Sequence, residues 1–181
     1  MNHKVFRLLI MLSFLIAGLS SCNKPYTPPE IVGTWTLNSA EVYFGLIFNI
    51  ETYESFPQSL KDKIQQSPQL MEDVLKELKT ITILENNTFT LTHASGQKSS
   101  GTYTQDNQYI NFTFSPDYYP NANEWQAIAE DKSLWLYPNY QYIKSLFITL
   151  TGLDNVESDL VFNENNRTQI QINIPYKLSN Y

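Results

Sequence analysis

The chain is poor in the residues that most often carry chemistry. It has one cysteine, two histidines and six glycines in 181 residues. A single cysteine, Cys22, has no partner in the fold, so no disulfide staples it. His93 is the only histidine beyond residue 21. Zinc sites are built mainly from Cys and His, and these two residues do not make one. Glycine-rich phosphate loops are absent, as is the Gly-x-Ser-x-Gly elbow of a serine hydrolase. Basic residues are also scarce, 12 Lys and Arg against 18 Asp and Glu. A chain of net charge −6 with no basic cluster is poorly equipped to neutralise nucleic-acid phosphates. These absences favour a protein that binds over one that catalyses, with no cofactor and no metal.

What is present begins at the N-terminus. His3, Lys4 and Arg7 form a basic start, and Leu8 to Leu19 is almost wholly apolar. Small residues then lead to Cys22, the order of a secretory signal peptide. The apolar run is closer to twelve residues than to the roughly 20 that a spanning helix needs. Leu19-Ser20-Ser21-Cys22 resembles the bacterial lipobox, which implies cleavage after Ser21 and acylation of the Cys22 thiol. Two or more acyl chains hold a protein firmly to a bilayer, whereas one is marginal. Losing residues 1–21 removes Lys4, Arg7 and no acid, which leaves ten basic and eighteen acidic residues and a formal charge of −8. The expected address is the bacterial cell envelope, on the outer membrane and facing the periplasm.

Residues 22–30 form the lipidated cysteine and a tether with three prolines among Asn23–Glu30. At about 3.1 Å per residue such a segment reaches roughly 25 Å. Residues 31–181 are expected to fold as one β domain. A first strand starts at Ile31 and runs towards Phe44. Two short helices follow: Ser55-Phe56-Pro57-Gln58 matches a capping box, and Ser67-Pro68 matches a second helix start. Leu70, Met71, Val74, Leu75 and Leu78 form an apolar stripe at helical spacing.

From Thr80 the period drops to two, with Ile81/Ile83, Phe89/Leu91, Ile110/Phe112/Phe114 and Ile170/Ile172/Ile174 alternating with polar residues. Such strands have one dry and one wet face. Asn- and Asp-rich clusters at 85–88, 105–108, 130–133 and 163–166 read as hairpin turns. A helix capped by Asn139 and stopped at Gly152 is expected before the last hairpin. The fold class is mainly β, an antiparallel up-and-down meander, and closure into a barrel would remove its exposed edges. A cystatin-like sheet or a half-open sandwich is the alternative.

Gly33-x-Trp35 on the first strand, the meander and the length of the domain together resemble the lipocalin pattern. The closer resemblance is to lipocalin-like lipoproteins of Bacteroidetes-type bacteria, which combine a lipobox, a short tether and such a start. The resemblance implies an eight-stranded barrel closed at one end by Trp35, with Arg167 as a cation–π partner of its ring. Two helices after strand one depart from the classical pattern. Tyr118, Tyr119, Trp125, Trp135 and Tyr137 are candidate ligand-binding residues, with Tyr140 and Tyr142 close by in sequence, because pockets lined by such rings occur in barrel mouths. The expected function is a lipid-anchored protein that holds a small apolar or amphipathic ligand in its barrel. Docking to an envelope protein partner and glycan binding on the aromatic loops are the alternatives. Replacing Cys22 by Ser should move the protein from the membrane to the soluble fraction and abolish the acyl mass increment seen by intact-protein mass spectrometry.

Overall fold

The computed structural model describes residues 27–162 and 168–179. Cys22, Arg167 and the turn cluster at 163–166 lie outside the described residues. Eight strands close into an antiparallel barrel: β1 (Gly33–Leu37), β3 (Leu78–Ile83), β4 (Thr88–His93), β5 (Lys98–Asp106), β6 (Tyr109–Phe114), β7 (Glu124–Glu130), β8 (Ser133–Tyr137) and β10 (Pro175–Leu178). β1 closes the ring by pairing with β3 on one edge and β10 on the other. The remaining strands, β2 (Tyr43–Ile47) and β9 (Gln169–Asn173), form a separate two-stranded sheet. The antiparallel meander expected from the periodicity is therefore closed into the lipocalin-like barrel that the resemblance implied.

Period-two patterning builds the barrel as it should. Ile81, Ile83, Phe89, Leu91, Ile110, Phe112, Phe114, Leu134 and Leu136 are all buried. Aromatic rings meet across the interior, with Phe89 4.5 Å from Phe112 and 4.7 Å from Phe114 between centroids. Asn87, Asn107 and Asp131 adopt left-handed φ angles of 60°, 56° and 49° at three of the expected turns, a conformation that Asn and Asp tolerate best after glycine. Gly33 sits at φ 143°, where a Cβ is strained. Trp35 is fully buried and its indole N–H donates to the Ile31 carbonyl at 2.8 Å. The Gly-x-Trp start thus has a backbone reason and a packing reason.

Several expectations need correction. β1 stops at Leu37 instead of running on to Phe44; the chain turns at Asn38 and through a short 3₁₀ turn, Ser39–Glu41, before β2. The two helices after it are α1 (Ile50–Ser55) and α2 (Gln58–Leu75), and α2, at 18 residues, is not short. Ser55 ends α1 and its hydroxyl donates to Thr52 O, so it caps nothing downstream. Ser67-Pro68 lies within α2 and starts no helix. Pro68 lacks the N–H that would reach Ile64 O, and the Ser67 hydroxyl donates to that carbonyl instead, at 2.7 Å. The helix survives because a side chain replaces the missing backbone donor. Its buried stripe is Leu60, Ile64, Ser67, Met71 and Leu75; Leu70 is exposed and Leu78 belongs to β3.

Two helices, not one, precede the last strands: α3 (Tyr140–Thr151) and α4 (Asn155–Phe162). α3 is capped by Asn139, which accepts from Gln141 N–H, and ends at Gly152 with φ 62°, as its sequence requires. α4 has a capping box of its own, Glu157 N–H to Asp154 Oδ1 at 2.8 Å and Asp154 N–H to Glu157 Oε2 at 3.2 Å. β9 and β10 are not a hairpin, since they belong to different sheets.

The two excursions from the barrel, after β1 and after β8, meet one another. β2 pairs with β9, α2 packs on α3 and on β2, and Lys63 of α2 bonds Glu157 of α4 at 2.6 Å. Both leave the barrel at the end marked by Leu37 and Tyr137, opposite the hairpin turns at Asn87, Asn107 and Asp131. At the hairpin end, Gln105 Nε2 donates to Pro29 O at 3.0 Å, which fixes the start of the domain there.

Gly101 shows how tightly the wall is built. A Cβ at this position would overlap the Thr113 carbonyl oxygen and crowd Phe114 Cα on β6. Gly101→Ala should cost about 3 kcal/mol, at the upper end for overpacking. For a domain of this size that is a fall in melting temperature of roughly 6–12 °C, measurable by differential scanning calorimetry.

Candidate binding groove

The barrel end beneath the excursions is closed by rings. Phe114, Tyr119 and Trp125 lie 4.7–4.8 Å apart between centroids. Tyr142 of α3 caps them, 4.9 Å from Trp125 and 5.3 Å from Tyr119. Trp125 is buried, and its indole N–H donates to Ala122 O at 2.9 Å. The Tyr176 hydroxyl, fully buried, donates to Leu78 O at 2.8 Å. Burial pushes the hydroxyls of Tyr119, Tyr142 and Tyr176 up from the usual tyrosine range.

His93 sits at the rim of this cluster. Its Nε2 lies 3.4 Å from Tyr119 Oη and 3.5 Å from Ser99 Oγ. Burial lowers its pKa from 6.5, partly opposed by the carboxylate of Glu77. The folded state therefore disfavours the imidazolium, so the unfolded chain binds the proton more readily. That contribution to stability is present above pH 6.5 and is lost as the pH falls below it. Among the described residues no three His, Cys, Asp or Glu side chains gather into a metal-binding group.

An open apolar groove of about 560 Å³ lies elsewhere, outside the barrel wall. One side is the end of β8 and the start of α3: Tyr137, Pro138, Tyr140 and Ile143. The other side is β9 from Ile170 to Asn173, with Tyr43 of β2. Tyr43, Tyr137 and Tyr140 are 49%, 40% and 49% exposed, so three large rings meet solvent around one depression. Contiguous exposed apolar surface of this kind marks binding sites. Tyr137, Pro138 and Tyr140 also border a second, more polar hollow of about 460 Å³, which runs onto the outer wall at Asn111, Thr113, Glu124 and Gln126.

The five sequence candidates do not form one site. Tyr119 and Trp125 are in the ring cluster that plugs the barrel end, and Tyr118 is exposed on the loop beside it. Trp135 stands on the outer face of β8, because its neighbours Leu134 and Leu136 point inward. Tyr137 alone of the five lines the groove, joined there by Tyr140. Tyr43, Ile170 and Ile172 were missed as site residues. Ile170 and Ile172 read as an ordinary barrel strand; the signal that they are not lies in Pro138, which ends β8 early.

These features define an eight-stranded antiparallel barrel of lipocalin-like outline with a flanking groove. No protein-family model matches the chain, and no curated protein does. Among solved structures it is similar to a DUF4847 family protein from Bacteroides vulgatus ATCC 8482, at 15% identity over 82% of this chain and 94% of that one, with a TM-score of 0.35. The fold assignment rests on the closed ladder itself.

His93→Asn provides a check on the rim. The stability difference between wild type and this variant should narrow as the pH falls from 7.5 to 5, measured by urea denaturation at each pH. A gap that widens or stays constant would contradict a part-buried histidine held neutral at the rim.

Proposed function

We propose that this chain is a lipid-anchored binding protein of the bacterial cell envelope that holds a small apolar or amphipathic ligand. The ligand belongs in the groove beside β9 and not in the lumen, where aromatic and aliphatic side chains of the wall meet one another. One observation carries this reading: three half-exposed tyrosines converge on an apolar depression that no described side chain fills. Rings of this type offer an apolar body and a polar tip, which suits an amphipathic molecule. The attachment to membrane follows from the lipobox resemblance at Cys22. The protein is read as a binder; His93, its one histidine beyond residue 21, lies 3.4 and 3.5 Å from two hydroxyls at a packed rim.

The test is a titration of the Cys22→Ser protein with 1-anilinonaphthalene-8-sulfonate, an apolar ring system bearing one sulfonate. Tyr137→Ala/Tyr140→Ala should weaken binding about tenfold or more, as expected for about 1.4 kcal/mol or more of lost apolar contact. Trp135→Ala, outside the groove, should leave it unchanged. Equal affinity in wild type and the double variant would reject the groove.

A further inference from the structure

The groove occupies the place where a strand would be. In the barrel, β10 lies between β1 and β8. Beyond the barrel end the β1–β10 pair is followed by the β2–β9 pair, but β8 has no continuation. The last rung is Leu136 N–H to Ile174 C=O, at 3.0 Å. Extending the β10–β8 register, in which Pro175 faces Trp135, sets Ile172 opposite Pro138. Proline has no N–H to give to the ladder, and the chain then turns away into α3.

The direction of the backbone groups of β9 follows from two separate contacts. Ile174 turns its carbonyl towards β8, and alternate residues of a strand point their backbone groups to the same edge. Ile172 and Ile170 therefore face the same way, into the groove. On the other side, Phe44 pairs with Ile172, yet its N–H goes to Glu72 Oε1 at 3.4 Å. That pair accordingly makes no cross-strand hydrogen bonds, which leaves the N–H and C=O of Ile172 on the open edge. Leu46↔Ile170 is the next pair of the same phase. An unpaired strand edge is a template for another strand.

We infer that the groove binds an extended peptide segment with uncharged, apolar side chains, which adds to β9 as the third strand of the small sheet. This rests on the groove being the binding site, and it names the ligand class. A peptide is amphipathic in the required sense: its backbone supplies C=O and N–H groups every second residue, about 6.8 Å apart, to meet Ile170 and Ile172. Its side chains on one face would lie among Tyr137, Tyr140 and Ile143. Among the described residues no Lys, Arg, Asp or Glu lines the groove, so a charged segment would lose hydration there without gaining a partner from them. Tyr43 forms the opposite wall because its ring lies over Gly45, where a Cβ would collide with the tyrosine hydroxyl.

The experiment uses the Cys22→Ser protein and a hexapeptide, Val-Thr-Val-Tyr-Val-Thr, amidated at its C-terminus and labelled with fluorescein at its N-terminus through a Gly-Ser spacer. A second peptide of the same sequence is N-methylated at alternate residues on the edge that would face β9. Fluorescence anisotropy should show saturable binding of the first and at least tenfold weaker binding of the second. The first peptide should also slow amide exchange at Ile170 and Ile172 and leave Phe44 unchanged. Ile170→Pro removes one donor from the open edge, a position where proline is tolerated. It should weaken peptide binding at least tenfold, with the fold checked by circular dichroism. If the probe binds through Tyr137 and Tyr140 but the peptides bind equally or not at all, strand addition is overturned and the groove stands as a site for small amphipathic molecules. If neither probe nor peptide binds, both readings fall.

Discussion

β1 is five residues long and is hydrogen-bonded along both edges, to β3 on one side and β10 on the other. Everything else is arranged by that double pairing. It brings the last strand of the chain against the first, so closure is a contact between segments about 140 residues apart in sequence. Such a contact costs loop entropy before it returns any stability. Trp35, buried at the middle of β1 and tied to Ile31 by its indole N–H, offsets part of that cost. Gly33 lets the chain bend into the strand at a φ other residues avoid. The two-residue motif is small because its work is confined to the one strand that must be right on both sides.

Local information was legible and its interruptions were not. Alternation over Ile81/Ile83, Phe89/Leu91 and Ile110/Phe112/Phe114 reads directly as barrel wall, and Asn87, Asn107 and Asp131 as turns. The cap at Asn139 and the stop at Gly152 are equally plain. The same alternation at Ile170/Ile172/Ile174 misled, because period two reports one dry face and not which sheet the strand joins. β9 pairs with β2 and runs close to the end of β8, yet it joins no ladder of the barrel. The helix α4 escaped notice although Asp154 and Glu157 carry its capping pattern, since its apolar face shows little regular spacing. Among the aromatic candidates, sequence proximity was a poor guide: Trp135 and Trp125 sit on paired strands yet face opposite sides of the wall.

Two prolines show how context decides what a residue does. Pro68 withholds a donor from Ile64 O, and the neighbouring Ser67 hydroxyl makes good the loss, so α2 passes through unbroken. Pro138 withholds a donor from the line of β8, and no described residue replaces it. One gap is repaired within a helix, where a side chain can reach back to the exposed carbonyl. The other opens a slot between strands and leaves the backbone of β9 facing it.

The bond from Gln105 to Pro29 has a consequence for how the molecule stands. It ties the domain's leading segment to the hairpin pole, while the tyrosine-lined slot opens at the far pole. Only four residues separate Cys22 from Thr27, and the five steps between them span at most about 18 Å. A lipid on Cys22 would consequently moor the barrel with its turns toward the bilayer, like a buoy on a short line. The slot would then face the aqueous compartment, where it meets what diffuses past instead of what lies in the membrane.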